Sequence, residues 1–225
     1  MEAQTPSPPS LKAKVFIVED HPLIREGLTL LIGNESDMTV CGSAGSPQEA
    51  LEAIKQANPD VAVVDLALGS ESGLTLIKTL RQTRKDLAIL VLSMFDEATY
   101  AERALRAGAR GYVMKSEALD MVRTAIRRVL AGDVYVSEKM VSHLLKKMAK
   151  VQGDASPAPS DLLTEREFEV FRMIAAGAGP SDIAQKLNLS VRTVDAHRDH
   201  IKEKLSLKSG AELRVYAAKW LNEPH

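Results

Sequence analysis

A single cysteine, Cys41, stands in the 225 residues, and one thiol forms neither an internal disulfide nor a thiolate metal cluster. Its setting in the strand-like run "MTVCGSA" assigns it to the core as a small residue. No uninterrupted apolar run is long enough to cross a bilayer, so nothing here is expected to span a membrane. The opening "MEAQTPSPPSLK" lacks the apolar centre of a secretory signal and is rich in Pro and Ser, which predicts a flexible leader over residues 1–12 and a cytoplasmic location. Excess charge of one sign is also absent: 29 basic against 30 acidic residues leave a formal net charge of −1. Any surface for nucleic acid must therefore be local. There is no internal repeat, no glycine-rich cofactor fingerprint and no nucleophile elbow, so small-molecule metabolism has no support. What remains is an ordinary globular composition, 45% hydrophobic and 26% charged, in a chain long enough for two domains with separate cores.

From Lys14 to about Ala131, short β-rich runs alternate with helical patterns, which predicts βαβ units on a parallel sheet. The strands are "KVFIV", "MTVCGSA", "VAVVD", "AILVLS" and "GYVM", and the helices span Pro22–Ile32, Pro47–Gln56, Gly73–Arg84, Glu97–Arg106 and Ala118–Ala131. Ser46-Pro47 followed by Glu49 reads as a capping box with proline at the first helical position. An amphipathic segment, Ser137–Lys150, precedes the aperiodic "VQGDASPAPSD", a linker by composition. Beyond it the pattern is purely helical, with Thr164 and Glu167 as a second capping box and further starts at Pro180, Ser190 and Ser209. The divisions are a leader at 1–12, an α/β domain at 13–133, a linker helix and flexible linker at 134–160, and a small four-helix all-α domain at 161–225.

In an open parallel sheet, ligands bind at the carboxyl ends of the strands where strand order reverses. Glu19 and Asp20 follow the first strand, Asp65 ends the third, Ser93 ends the fourth, and Lys115 lies just past the fifth. Three converging carboxylates repel one another, and a hard divalent cation such as Mg²⁺ offsets that repulsion while keeping several waters. Singly, each residue has a structural reading as a turn, a cap or a solvated charge; their conjunction at strand ends carries the case.

The motifs "VEDHP", "VVDLALGSESG", "VLS" and "GYVMK", in this order, resemble the receiver domain of bacterial two-component response regulators, a five-stranded doubly wound flavodoxin-like fold. The resemblance implies that Asp65 accepts a phosphoryl group from a sensor histidine kinase, with Glu19, Asp20, Asp65 and the backbone carbonyl of Ala67 holding Mg²⁺. Ser93 and Lys115 would bond the phosphoryl oxygens. Tyr112 matches the aromatic switch residue and would turn inward as Ser93 is drawn to the phosphate, repacking the face near the fourth and fifth helices. The chain departs from the family in two places: Leu68-Gly69 replaces a usual Met-Pro, and Ser72 replaces an acid before Gly73.

The helical half, through "LTERE", "DIAQKLNLS" and "RTVDAHRDHIKEKL", resembles the helix-turn-helix output domain of the NarL/FixJ (LuxR-type) class, whose second helix enters the major groove. The resemblance implies double-stranded promoter DNA with paired half-sites as partner, and a homodimer on phosphorylation. Val194, His197, Ile201 and Leu205 form one helical stripe facing the core, which makes His197 a packed residue. The opposite side carries Arg192, Asp195, Ala196, Asp199, His200 and Glu203, whose acids repel phosphates but can accept from cytosine. Arg192 is the expected base contact, with Thr193, Lys202 and Lys204 on the backbone. His200 stands where the family commonly has Asn, and "GAGP" replaces its usual polar turn. The rival reading is an adaptor whose helical domain binds protein instead of DNA. The sequence thus predicts a transcription regulator, not a conventional enzyme.

Overall fold

The computed structural model describes residues 12–69, 71–117, 119–150, 159–187 and 189–222. All of the expected leader except Lys12, and residues 151–158 of the expected linker, lie outside them. The N-terminal half alternates strand and helix as the hydrophobic pattern requires: β1 (Ala13–Val18), α1 (Pro22–Gly33), β2 (Met38–Ala44), α2 (Pro47–Ala57) and β3 (Val61–Val64). A small antiparallel pair, β4 (Ala67–Leu68) and β5 (Glu71–Ser72), precedes α3 (Gly73–Thr83), β6 (Ala88–Ser93), α4 (Glu97–Ala107), β7 (Gly111–Met114) and α5 (Leu119–Leu130). The five long strands pair in parallel in the order β2-β1-β3-β6-β7. This is the doubly wound receiver topology expected from sequence, and the order reverses between β1 and β3.

Both faces of the sheet are covered, so the central strand β3 is apolar throughout and its neighbours β1 and β6 are apolar at nearly every position. Phe16, Val18, Ala62, Val64, Ile89 and Val91 face one core with α2, α3 and α4. Val15, Ile17, Val61, Val63, Leu90 and Leu92 face the other with α1 and α5. Cys41 is half-buried on β2, its thiol donating to the Val15 carbonyl at 3.4 Å while burial pushes its pKa up, which disfavours the thiolate. At the start of α2, Ser46 Oγ accepts from the Glu49 amide as expected, but the Glu49 carboxylate returns to the Gly45 amide instead of that of Ser46. The box is displaced by one residue.

The C-terminal half begins with α6 (Glu138–Lys150) and a short α7 (Pro159–Leu162), then the bundle α8 (Glu165–Ala175), α9 (Pro180–Lys186), α10 (Val191–Lys204) and α11 (Gly210–Asn222). At α8, Thr164 and Glu167 satisfy each other's amides as a complete capping box. Glu167 is buried; burial raises its pKa, but the bond from Lys204 and the Thr164 amide prevail and hold it below the usual 4.5. A depressed carboxylate contributes stability above its unfolded pKa and loses it as pH falls through the folded value. Thr164→Ala is expected to destabilise the bundle by about 1 kcal/mol, measured by denaturation followed through Trp220, which packs on Phe168 and Phe171.

The two halves meet through α4. The Glu97 carboxylate accepts from the Ser137 amide at 2.8 Å, tying the start of α4 to the start of α6. Farther along α4, the Tyr100 ring meets Phe168 of α8 edge-on at 6.0 Å. The Arg103 guanidinium lies 4.3 Å over Phe168 and donates to the Leu163 carbonyl at 3.2 Å. Arg172 returns the contact over the Tyr100 ring at 5.3 Å.

Candidate functional site

Parallel strands end with their carboxyl sides on one rim, and the β1/β3 switch point puts the loops after both strands side by side. Glu19 and Asp20 come from the first loop and Asp65 from the second. One ligand atom from each of these three, and one from His21, lie within 4.8 Å of one another. Glu19 and Asp65 are buried and Asp20 is partly so. The charge is balanced by Lys115, whose Nζ bridges Glu19 Oε2 at 2.5 Å and Asp65 Oδ2 at 2.6 Å with its own side chain only 7% exposed. Burial raises the pKa of Asp65, and the Lys115 ammonium opposes it. For Lys115 burial acts downward, and the two carboxylates more than reverse it, so its pKa is raised.

The remaining predicted residues surround this cluster. Ser93 is fully buried at the end of β6, its Oγ accepting from the Phe95 amide at 3.3 Å and its carbonyl from the Lys115 amide at 2.8 Å. Asp65 Oδ1 accepts from the Ala67 amide at 3.3 Å. Tyr112 is already inward in this structure, 1% exposed, with its hydroxyl donating to the Phe95 carbonyl at 2.8 Å. The expected inward turn therefore has no outward starting point here: β7 presents the ring to the core and Phe95 supplies the buried hydroxyl with an acceptor. The Phe95 ring stacks on Tyr100 at 4.7 Å, so aromatic and backbone contacts run without a break from Ser93 to the α8 surface.

Sequence reading did not reach His21, Phe95, Tyr100 or Arg103. His21 Nδ1 lies 3.2 Å from Glu19 and 2.7 Å from Asp20. Its adjacency to the paired acids was the available signal. Tyr100 and Arg103 meet residues 60 or more positions away, on α8 and just before it, and no local pattern announces such a contact.

The donor set suits a hard divalent cation: oxygens predominate, and Asp20 Oδ1 is buried without a hydrogen-bond partner although the His21 nitrogen is near. A buried carboxylate oxygen left in this way is the acceptor that a cation satisfies.

On α10, Val194 and Ile201 are fully buried, with His197 and Leu205 partly so, as the stripe predicts; burial is the leading cause of a lowered His197 pKa. Arg192, Asp195, Ala196, Asp199, His200 and Glu203 are exposed on the other side. There Asp195 pairs with Arg198 at 2.8 Å and Asp199 with Lys202 at 2.9 Å. Lys204 pairs with the buried Glu167 at 2.7 Å, and Thr193 is engaged with the Ser190 hydroxyl at the helix start. Among the described residues, Arg192 is the one arginine or lysine of α10 without a carboxylate partner.

Fold and sites together define a class: a flavodoxin-like regulatory domain with an acidic cradle, joined to a helix-turn-helix bundle. Residues 15–127 match the response regulator receiver domain, and residues 161–217 match the bacterial regulatory proteins of the luxR family. The oxygen regulatory protein NreC of Staphylococcus carnosus is 37% identical over 210 residues, 92% of this chain and 97% of NreC. Among solved structures, a LuxR family two-component response regulator from Aurantimonas sp. SI85-9A1 is 30% identical with a TM-score of 0.58, covering 62% of this chain and all of that one. The Salmonella typhimurium RcsB response regulator is 25% identical with a TM-score of 0.55, covering 92% and 99%. The chain belongs to the two-component response regulators with a LuxR-type helix-turn-helix output domain. It is a DNA-binding transcription regulator, which decides against the adaptor reading. No helix among the described residues is long and apolar enough to cross a membrane.

Proposed function

We propose that Asp65 is the phosphoacceptor, charged by a sensor histidine kinase. The observation that carries this is the convergence of Glu19, Asp20, Asp65 and Lys115 on one rim. Glu19, Asp20, Asp65 and the Ala67 carbonyl would hold Mg²⁺, which supplies charge neutralisation on the transferring oxygens. An Asp65 oxygen attacks phosphorus as the bond to the donor's imidazole nitrogen breaks; with the donor ring protonated on its other nitrogen, the products are an acyl phosphate and a neutral histidine. Lys115 stands beside that carboxylate to receive a phosphoryl oxygen, and Ser93 offers its hydroxyl to another.

Turning Ser93 Oγ toward the phosphoryl group withdraws it from the Phe95 amide. Phe95 also holds Tyr112 through its carbonyl and Tyr100 through its ring, so the disturbance is delivered to the Phe168 and Arg172 contacts that dock the bundle. Release of that contact would free two copies to dimerise on paired promoter half-sites.

Acetyl phosphate with Mg²⁺ is expected to add one phosphoryl mass to the native chain and none to Asp65→Asn. Labelling that survives this substitution places the acceptor elsewhere.

For the DNA interface, Arg192 is the base-reading residue, and Lys202 and Lys204 exchange their carboxylate partners for phosphates on binding. Arg192→Ala is expected to weaken promoter binding by ~1–3 kcal/mol, and Lys202→Ala to reduce the salt slope by about one. Salt-titrated binding isotherms test both. A shallower slope for Arg192→Ala with unchanged sequence preference would make it a backbone contact.

A further inference from the structure

Leu68 and Glu71 pair antiparallel, connected through residues 69 and 70, and Gly69 sits at the start of the connection with φ +59°. From there its amide donates to Asp20 Oδ2 at 3.0 Å, across 49 residues of sequence. Asp20 Oδ1 is the buried oxygen that has no hydrogen-bond partner. The two oxygens of one cradle carboxylate are therefore treated differently, Oδ2 tethered by a backbone amide and Oδ1 buried with no hydrogen bond, the His21 Nδ1 lying 2.7 Å away.

We propose that the Gly69 amide is a positioning group for the metal ligand Asp20, holding its carboxylate rotation so that Oδ1 is the oxygen offered to the divalent cation. The inference rests on the metal reading above. Three features support it. A donor that fixes a ligating carboxylate raises metal affinity by removing alternative rotations, and losing such an outer partner costs roughly 10–100-fold. The tether requires both a free N–H and a left-handed backbone, which proline, locked near −65° and without an amide hydrogen, cannot provide. A Cβ at position 69 meets nothing within 4 Å, so glycine is there for its φ and not for want of space. The Leu68-Gly69 pair that departs from the family's usual Met-Pro thus gives this chain a bond to Asp20 that a proline could not make.

The test uses the full-length chain without phosphodonor and Mn²⁺ as a paramagnetic probe of the cradle, with bound metal counted by electron paramagnetic resonance. Gly69→Pro is expected to weaken Mn²⁺ binding about tenfold or more. Gly69→Asn, which keeps the N–H and tolerates positive φ, should retain affinity within about threefold. In an Asp20→Asn background, Gly69→Pro should have no further effect. Native affinity in Gly69→Pro overturns the inference, as does an equal loss in Gly69→Asn, which would make the loop rather than the amide responsible. A native chain that binds no Mn²⁺ overturns the cradle reading itself and the tether with it.

Discussion

Lys115→Met is expected to destabilise the receiver by ~3–5 kcal/mol in the absence of divalent cation, and Mg²⁺ is expected to recover much of that loss. The ammonium touches both Glu19 and Asp65, all three side chains are at most 7% exposed, and removing it leaves two buried carboxylates facing each other. Repulsion between such groups is felt strongly because little water screens it. A cation bound by the same oxygens restores the balance, so the stabilisation by Mg²⁺ should be larger in the variant than in the native chain. Urea denaturation with and without Mg²⁺ measures both quantities. If the variant were as stable as the native chain without metal, or if Mg²⁺ helped both equally, Lys115 would not be the counter-charge of the cradle.

Gly73→Ala should have the other large effect, through crowding instead of charge. A Cβ at residue 73 would lie 2.0 Å from the Asp65 carbonyl oxygen and 2.8 Å from Leu66 Cα. Both neighbours are backbone, and the Gly73 amide is bonded to the Leu66 carbonyl at 2.9 Å, so neither side can swing away as a side chain would. Overpacking of this kind typically costs ~1–3 kcal/mol, occasionally more. The strain falls on the residue that carries the proposed phosphoacceptor, so slower labelling by acetyl phosphate should accompany the lower denaturation midpoint. A variant within about 0.5 kcal/mol of native stability and labelled at the native rate would show that α3 shifts freely away from β3.

The cradle was legible because its parts sit at the ends of apolar strands, and a parallel sheet has only one rim on which those ends can meet. Glu19, Asp20, Asp65, Ser93 and Lys115 could be listed from strand boundaries alone. Their charge pairing could not, since Lys115 bridging two acids 50 and 96 positions away depends on the finished strand order. On α10 the sequence located the core stripe and the outer face. It did not reveal that Asp195, Asp199 and Glu167 already engage Arg198, Lys202 and Lys204, because exposed and paired basic residues look alike in sequence.

By itself the sequence determined two domains, five parallel strands and most helix starts, which follow from local periodicity and capping chemistry, and the acids at the strand ends; it missed the short α7 (Pro159–Leu162), which begins in the expected linker. Tertiary structure alone decided that Tyr112 is already inward, that Tyr100 and Arg103 of α4 hold Phe168 of α8, and that the Gly69 amide reaches Asp20. These contacts join segments far apart in the chain, and their geometry exists only after the elements have packed.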